Sequence, residues 1–392
     1  AHLLNQPDPR GDTSRFKYSH FTAFTNYKNE WGKWGLDARL SYDQFSHYAQ
    51  NKPETNKNTI PKKNRENEVY SRVVFSYKTD KLSIGAGPAV SVEKFGLPAY
   101  GASANDWSYN KWIQGNNYDV NQSDSANIYT ESWSTVMLSG IGEIQYSLRK
   151  NINLLGGLRL DKHTYTGVMV SPRASIVWKP KANHLIRFQY SRSNRRADDA
   201  DLRQGYLRSG GEKEGDVETI DYYELSGDIG VHKKVMIRPS VYYSSYDVVA
   251  WDATNAITQG LGLVKYYGGE VSLIYKGSKG YGQVSHSFAK ISEFLGVEQP
   301  TNNVSASAYG YGNSFHSFPD HLSKLFYQYK INKKMAISTS LQVTWYMEGA
   351  EDNAAYNSDT INNPNPNNAQ WDLSGGNKTS HKPSAYLHAG YV

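Results

Sequence analysis

Residues 219–243, TIDYYELSGDIGVHKKVMIRPSVYY, alternate between apolar and polar side chains twice over. Tyr223, Leu225, Ile229 and Val231 fall on one side, with Tyr222, Glu224, Ser226 and Asp228 on the other. After His232-Lys233-Lys234 the alternation resumes, with Val235, Ile237, Val241 and Tyr243 against Met236, Arg238, Ser240 and Tyr242. A period of two over such runs predicts strands, and a three-residue link predicts an antiparallel hairpin. Each strand reaches about ten residues, beyond the five or six usual in soluble sheets. One apolar face opposite a face carrying Glu224 and Arg238 suits a strand that crosses an outer membrane, with lipid outside and water or protein within.

The same unit recurs along the chain. Strands are predicted at Arg15–Tyr27, Trp34–Asp43, Glu68–Tyr77, Leu82–Val92, Ser134–Leu148, Ile152–Lys162, Ala174–Trp178 and His184–Tyr190. After the 219–243 hairpin they continue at Tyr267–Tyr275, Tyr281–Ala289, His321–Lys330, Met335–Met347 and Ser384–Val392, fifteen in all. Pro88, which lacks a donor, predicts a bulge or a gap in the ladder. The period predicts lipid contact for Leu36, Leu40, Ile84, Val90, Leu225, Ile229, Leu341 and Val343. It turns Arg39, Glu224, Arg238 and Glu270 inward.

Connections alternate in length. The short ones are 28–33, 79–81, 149–151, 179–183, 232–234, 276–280 and 332–334, and most of the others are several times longer. Short turns on one side and long loops on the other mark bacterial outer-membrane barrels. Trp34, Tyr77, Tyr146, Trp178, Tyr275 and Tyr329 lie on the apolar face beside short turns, as a lower aromatic girdle does. Tyr190, Tyr243 and Trp345 lie on it near the long loops. A propeller or solenoid would show a fixed repeat period, and none is present. An odd count, with first and last strands both descending, predicts a segment of a larger barrel lacking strands at both ends, because an open edge cannot stand in lipid.

Composition narrows the classes further. A mean hydropathy of −0.67 and the absence of any apolar run near eighteen residues exclude a helical membrane protein. With no Cys, disulfides and thiolate metal sites are excluded. The net charge of +6 would suit anionic partners, but read linearly the positive residues are spread along the chain, so nucleic acid is not an expected partner. His20, His286, His321 and His388 lie in or at strands without a triad arrangement, and no phosphate-cradling or zinc-binding motif appears. The expectation is no enzyme and no cofactor.

Several segments resemble TonB-dependent outer-membrane receptors. Gly157-Leu158-Arg159-Leu160-Asp161, Ser171-Pro172-Arg173-Ala174-Ser175 and Ser191-Arg192-Ser193-Asn194-Arg195 are similar to that family's mid-barrel run. Glu218-Thr219-Ile220 with Tyr223-Glu224-Leu225, Gly268-Gly269-Glu270-Val271 and Phe318-Pro319-Asp320-His321 are similar to later strands. The resemblance covers roughly residues 158–347. It implies an all-β transmembrane antiparallel barrel of 22 strands, of which this chain is a partial segment, closed by the protein's own N-terminal plug domain. It also implies energy from a TonB coupling complex and a place among the lipids of the bacterial outer membrane.

On that resemblance Glu224 and Glu270 stand where the family has lumen carboxylates that pair with plug arginines, and parity independently places both on the polar face. The alternative is pairing within the wall, with Arg159, Arg173, Arg187 or Arg238, which also point inward. Those arginines could equally line a path for an anionic solute. In the loops Trp107, Tyr109, Trp112, Tyr118, Trp251, Tyr309 and Tyr311 sit among Asn, Gly and Ser, fit either to contact a ligand or to pack the loops. Asp198, Asp199 and Asp201 carry enough oxygens for Ca²⁺, but Arg195, Arg196 and Arg203 adjoin them, and local ion pairing is the expectation. The leading function is import of a bulky scarce nutrient, first an iron–siderophore complex. The alternatives are a passive diffusion porin and a loop-based adhesin or phage receptor.

Overall fold

Where alternation is strict, each strand can bury one face only against lipid, and its backbone must pair on both edges. The computed structural model, which describes residues 2–7, 13–50, 62–97, 133–212, 214–252, 257–296, 319–346 and 384–391, meets that demand with one antiparallel sheet of sixteen strands. In chain order the first eight are β1 His2–Pro7, β2 Thr13–Trp31, β3 Trp34–Gln50, β4 Lys62–Lys78, β5 Leu82–Leu97, β6 Trp133–Arg149, β7 Ile152–His163 and β8 Val168–Lys181. The others are β9 His184–Arg196, β10 Val217–His232, β11 Val235–Asp252, β12 Ile257–Lys276, β13 Gly280–Gly296, β14 His321–Lys330, β15 Ala336–Tyr346 and β16 Ser384–Tyr391. Each pairs with its neighbours in sequence.

Fifteen of these are the expected strands. The count is corrected by β1, whose sequence HLLNQP has no alternation and which pairs with the outer half of β2, His2 opposite Tyr18 and Pro7 opposite Thr13. Strands are also longer than the sequence pattern. Against the expected strand at residues 174–178, β8 runs over Val168–Lys181, and β12 runs for 20 residues. The ladder between β4 and β5 passes from Arg72–Ala89 to Phe75–Ala86, skipping Gly87 and Pro88, as the missing proline donor requires.

The outward face is apolar between two aromatic belts. Leu40, Ile84, Leu225, Val271 and Leu273 are exposed on it. Trp34 packs on Tyr77 at 4.8 Å in the lower belt. In the upper belt Tyr190 meets Tyr223 at 4.9 Å, and Tyr223 meets Tyr243 at 6.4 Å. From Tyr267 to Tyr275 is about 27 Å along β12 at 3.4 Å per residue. At a tilt near 40° that is about 20 Å of membrane height, close to the apolar band of such barrels. Above the upper belt the outward face turns charged: Arg192 clasps Asp221 at 2.7 Å, and Lys265 reaches Glu293 at 2.6 Å. No helix among the described residues is long and apolar enough to cross a membrane, which says nothing of strands.

The sheet is rolled. Arg196, at the end of β9, lies 3.0 Å from Glu93 on β5. In a flat sheet four strand spacings would hold them about 19 Å apart.

Candidate functional site

The inward face of the roll is a polar wall in which cross-strand register decides the partners. Asp37 on β3 takes Arg72 from β4 at 3.0 Å and Lys28 from β2 at 3.7 Å. Asp161 accepts from Arg159 at 2.8 Å and from Ser139 on β6. Arg173 pairs with Glu143, and Arg238 with Asp228 at 2.6 Å. Glu224, with 14% of its side chain exposed, accepts from Arg187 at 3.1 Å, Gln189 at 3.3 Å and the Tyr222 hydroxyl at 2.8 Å. Glu270 differs. It accepts the Ser272 hydroxyl at 2.8 Å, and among the described residues no Lys, Arg or His lies within 4.0 Å of it.

So the five lumen residues expected from sequence all lie on strands of the polar wall, but they are not gathered into one cluster. Arg159, Arg173 and Arg238 each hold a neighbouring acid of the wall, and Glu224 is held by Arg187, one of the partners the wall-pairing alternative named. Register shows Glu224 opposite Tyr242 and Glu270 opposite Ser240, so the two acids are offset along β11 with Tyr242 beside them. Of the loop aromatics, Trp107, Tyr109, Trp112, Tyr118, Tyr309 and Tyr311 lie outside the described residues. Trp251 is on β11, opposite Thr258.

The sequence pattern did not anticipate what closes over this wall. Between β9 and β10 the chain forms a helix, α1, Asp199–Arg208. Its last turn ends on Gly210 and Gly211, at φ +72° and +87°, and the Gly211 amide bonds the Tyr206 carbonyl at 2.9 Å. Such left-handed positions favour glycine and stop a helix. Leu202, 2% exposed, is the helix's anchor, packed where a side chain at Gly215 would collide with it. The Gly215 amide donates to the Tyr165 carbonyl at 2.9 Å, Tyr165 meets Tyr206 at 5.2 Å, and Arg203 lies over Trp133 at 5.0 Å.

Glu93, Trp133 and His163 all have inward parity on β5, β6 and β7, so this segment sits inside the roll, and α1 also lies against β12. Its start is tied by charge. Asp199 pairs with Arg196 and stands 3.2 Å from His163, and Arg196 reaches on to Glu93. Burial works against a charged Asp199, yet the close contact with His163 and the Arg196 cation hold its carboxyl below the ordinary range. Ion pairing at this acidic stretch is thus seen for Asp199. A signal was present in Leu202 and Tyr206, four apart, ahead of the Gly210-Gly211 pair.

A rolled antiparallel sheet with a lipid-matched apolar exterior, two aromatic belts and a polar interior defines a transmembrane barrel wall of the bacterial outer membrane. The family described as TonB dependent receptor-like, beta-barrel matches residues 2–387, and the chain belongs to it. That family is one of transport receptors rather than enzymes. Compared with curated proteins, the chain finds no match. It is similar in fold to the FrpB iron transporter of Neisseria meningitidis, with TM-score 0.63, 13% identity, and coverage of 86% of this chain and 53% of that one. It is also similar to the siderophore receptor PirA of Acinetobacter baumannii, with TM-score 0.57, 12% identity, and coverage of 97% and 56%. The ferric yersiniabactin uptake receptor FyuA of Yersinia pestis gives TM-score 0.58, 10% identity, and coverage of 97% and 54%. The chain therefore spans about half the length of these structures.

Proposed function

We propose that this chain is the wall of an active importer for a bulky scarce nutrient, first an iron–siderophore complex. On this reading a plug domain fills the lumen, the closing strands belong to the rest of the barrel, and a TonB coupling complex supplies the energy. The family supports the class, and neighbours described as iron and siderophore receptors favour the cargo. The observation that carries the plugged reading is Glu270. A carboxylate facing a plugged, poorly hydrated lumen needs a cation. Among the described residues the wall gives it a hydroxyl in hydrogen-bond reach and the Arg238 cation, itself paired with Asp228, only at longer range. A plug arginine would complete it. Glu224, Arg159, Arg173 and Arg238 serve that contact as a braced polar surface.

A second reading, a passive diffusion pore, is favoured by α1, which narrows the mouth from within. The two separate by energy dependence. Uptake of labelled ferric siderophores by cells carrying the whole protein should stop when the proton gradient is collapsed. Uptake that continues at the same rate under an uncoupler would leave the passive pore as the function.

A further inference from the structure

Rolling the sheet gathers charge that looks scattered along the sequence. The seven short turns, taken with the residues bordering two of them as 28–33, 78–81, 149–151, 179–183, 232–234, 276–280 and 330–335, hold fifteen of the chain's 43 Lys and Arg and two acids, Glu30 and Asp80. Fifteen cations less two anions leave +13 on this rim, so a chain of net charge +6 carries −7 elsewhere. All fifteen cations are exposed. Among the described residues only Lys28 has an acidic partner, Asp37 at 3.7 Å. The linear reading, in which the positive residues are dispersed, is corrected for these fifteen, which share one edge.

That edge adjoins the lower aromatic belt. Passing down the wall, outward apolar side chains such as Leu273 give way to rings such as Tyr275 and then to exposed turn lysines such as Lys279. Acyl chain, interface and phosphate of a phospholipid follow the same order. The charge appears at every turn rather than on one patch. A lipid annulus meets the whole circumference, whereas a folded partner meets one side.

One place on the rim is shaped as well as charged. Between turns 276–280 and 330–335 lies a cavity of about 720 Å³ at the tip of the wall, lined by the turn lysines Lys279, Lys333 and Lys334 and, on its lumen side, by Lys330 with Gln328 and Ala336. The Lys330 amide bonds the Lys279 carbonyl at 2.7 Å and ties the two turns together. Ser278 and Asn332 add uncharged donors, and exposed Ile331 and Met335 give one margin an apolar edge. Four cations, hydrogen-bond donors and an apolar border suit a phosphate ester joined to acyl chains better than a free anion.

We propose that the short-turn rim is a cationic collar for anionic phospholipid, with a discrete headgroup site in this cavity. The inference uses the outer-membrane placement and is independent of the cargo.

The test is native mass spectrometry of the whole protein, with its closing strands, in mild detergent, titrated with phosphatidylglycerol, cardiolipin, phosphatidylcholine and inorganic phosphate. Near a membrane surface each lysine changes binding about fivefold. The wild type should prefer anionic over zwitterionic lipid by at least about tenfold, and salt should weaken the preference. Lys279→Gln, Lys330→Gln, Lys333→Gln and Lys334→Gln together should lose more than about tenfold of it, whereas the four Lys→Arg changes should retain it. Heat-dependent gel mobility verifies that each variant is folded. Equal occupancy by both lipid classes, or a Gln variant that keeps the preference, overturns the proposal. So does displacement of bound lipid by inorganic phosphate, or lysine-dependent capture of an acidic protein without any lipid preference.

Discussion

His163 and Asp199 meet at 3.2 Å inside the roll, the one 1% and the other 5% exposed, in a wall whose other ion pairs are mostly open to water. Asp199 belongs to α1 and His163 to the end of β7, so this contact joins the inward-folded segment to the barrel. Arg196, reaching both Asp199 and Glu93, adds a second tie from β9 to β5.

The pH response of that junction follows from Asp199, whose carboxyl is held below its ordinary value. A depressed carboxylate contributes fully above its unfolded value, about 3.9, and the contribution is lost as pH falls through the lower folded value. Glu66, Glu93, Arg196 and His163 face it from the surrounding strands. The closed arrangement should therefore be retained by Asp199 down to about pH 4 and loosen only below it. Conductance of the reconstituted barrel should rise as pH falls below about 4, and Asp199→Asn should conduct more already at pH 7. Identical conductance of the variant and wild type across that range would exclude the latch.

Leu202 tests whether α1 is held by packing as well as charge. Truncating a buried leucine costs about 2–5 kcal/mol, and the loss should fall on the helix rather than on sixteen hydrogen-bonded strands. Limited proteolysis of Leu202→Ala should cut within residues 198–216 faster than wild type while heat-dependent gel mobility stays the same. Cleavage at the wild-type rate would mean that the charged ties suffice.

The strands were legible because lipid makes one face uniform, and legibility ends where lipid does. β9 and β12 continue past Tyr190 and Tyr267, but there Arg192, Asp221, Lys265 and Glu293 replace the apolar side chains and the alternation fades. β1 fails to read as a strand for the same reason, and α1 escapes because only Leu202 and Tyr206 mark its buried side. Inward orientation of Glu224 and Glu270 could be read from parity. The partner of each could not: Arg187 reaches Glu224 from an adjacent strand, and that depends on a register that composition does not encode. Likewise each pair of turn lysines is unremarkable in sequence, and the rim exists only once the turns are drawn to one edge.

Face assignment is tested with paired arginines on neighbouring strands. Val271 is 49% exposed on the outward face, midway between Tyr267 and Tyr275, where an arginine costs about 2–4 kcal/mol in lipid. Ser287 stands opposite Glu270 on the inward face. Val271→Arg should lower the unfolding free energy from urea titration in liposomes by that amount, and Ser287→Arg should change it by less than about 1 kcal/mol. Equal shifts would invert the register of β12.

Glu224 and Glu270 should separate in their effects, because one is satisfied by the wall and the other is not. Glu224→Ala removes the acceptor of Arg187, Gln189 and Tyr222. Arg187 is 43% exposed and rehydrates, so the cost should be about 1–2 kcal/mol, below that of a fully buried pair. Glu270→Ala removes one hydroxyl contact, from Ser272, and should change barrel stability by less than about 0.5 kcal/mol. In the plugged whole protein the order should reverse: Glu270→Ala should raise leak conductance in planar bilayers, since a charge-assisted bond of about 1.5–3 kcal/mol to the plug is gone. Glu224→Ala alone should raise it less, and the double variant should leak most while still migrating as a folded barrel. Unchanged conductance and uptake in Glu270→Ala would reduce that residue to an ordinary wall carboxylate and leave the plugged reading without the contact that carries it.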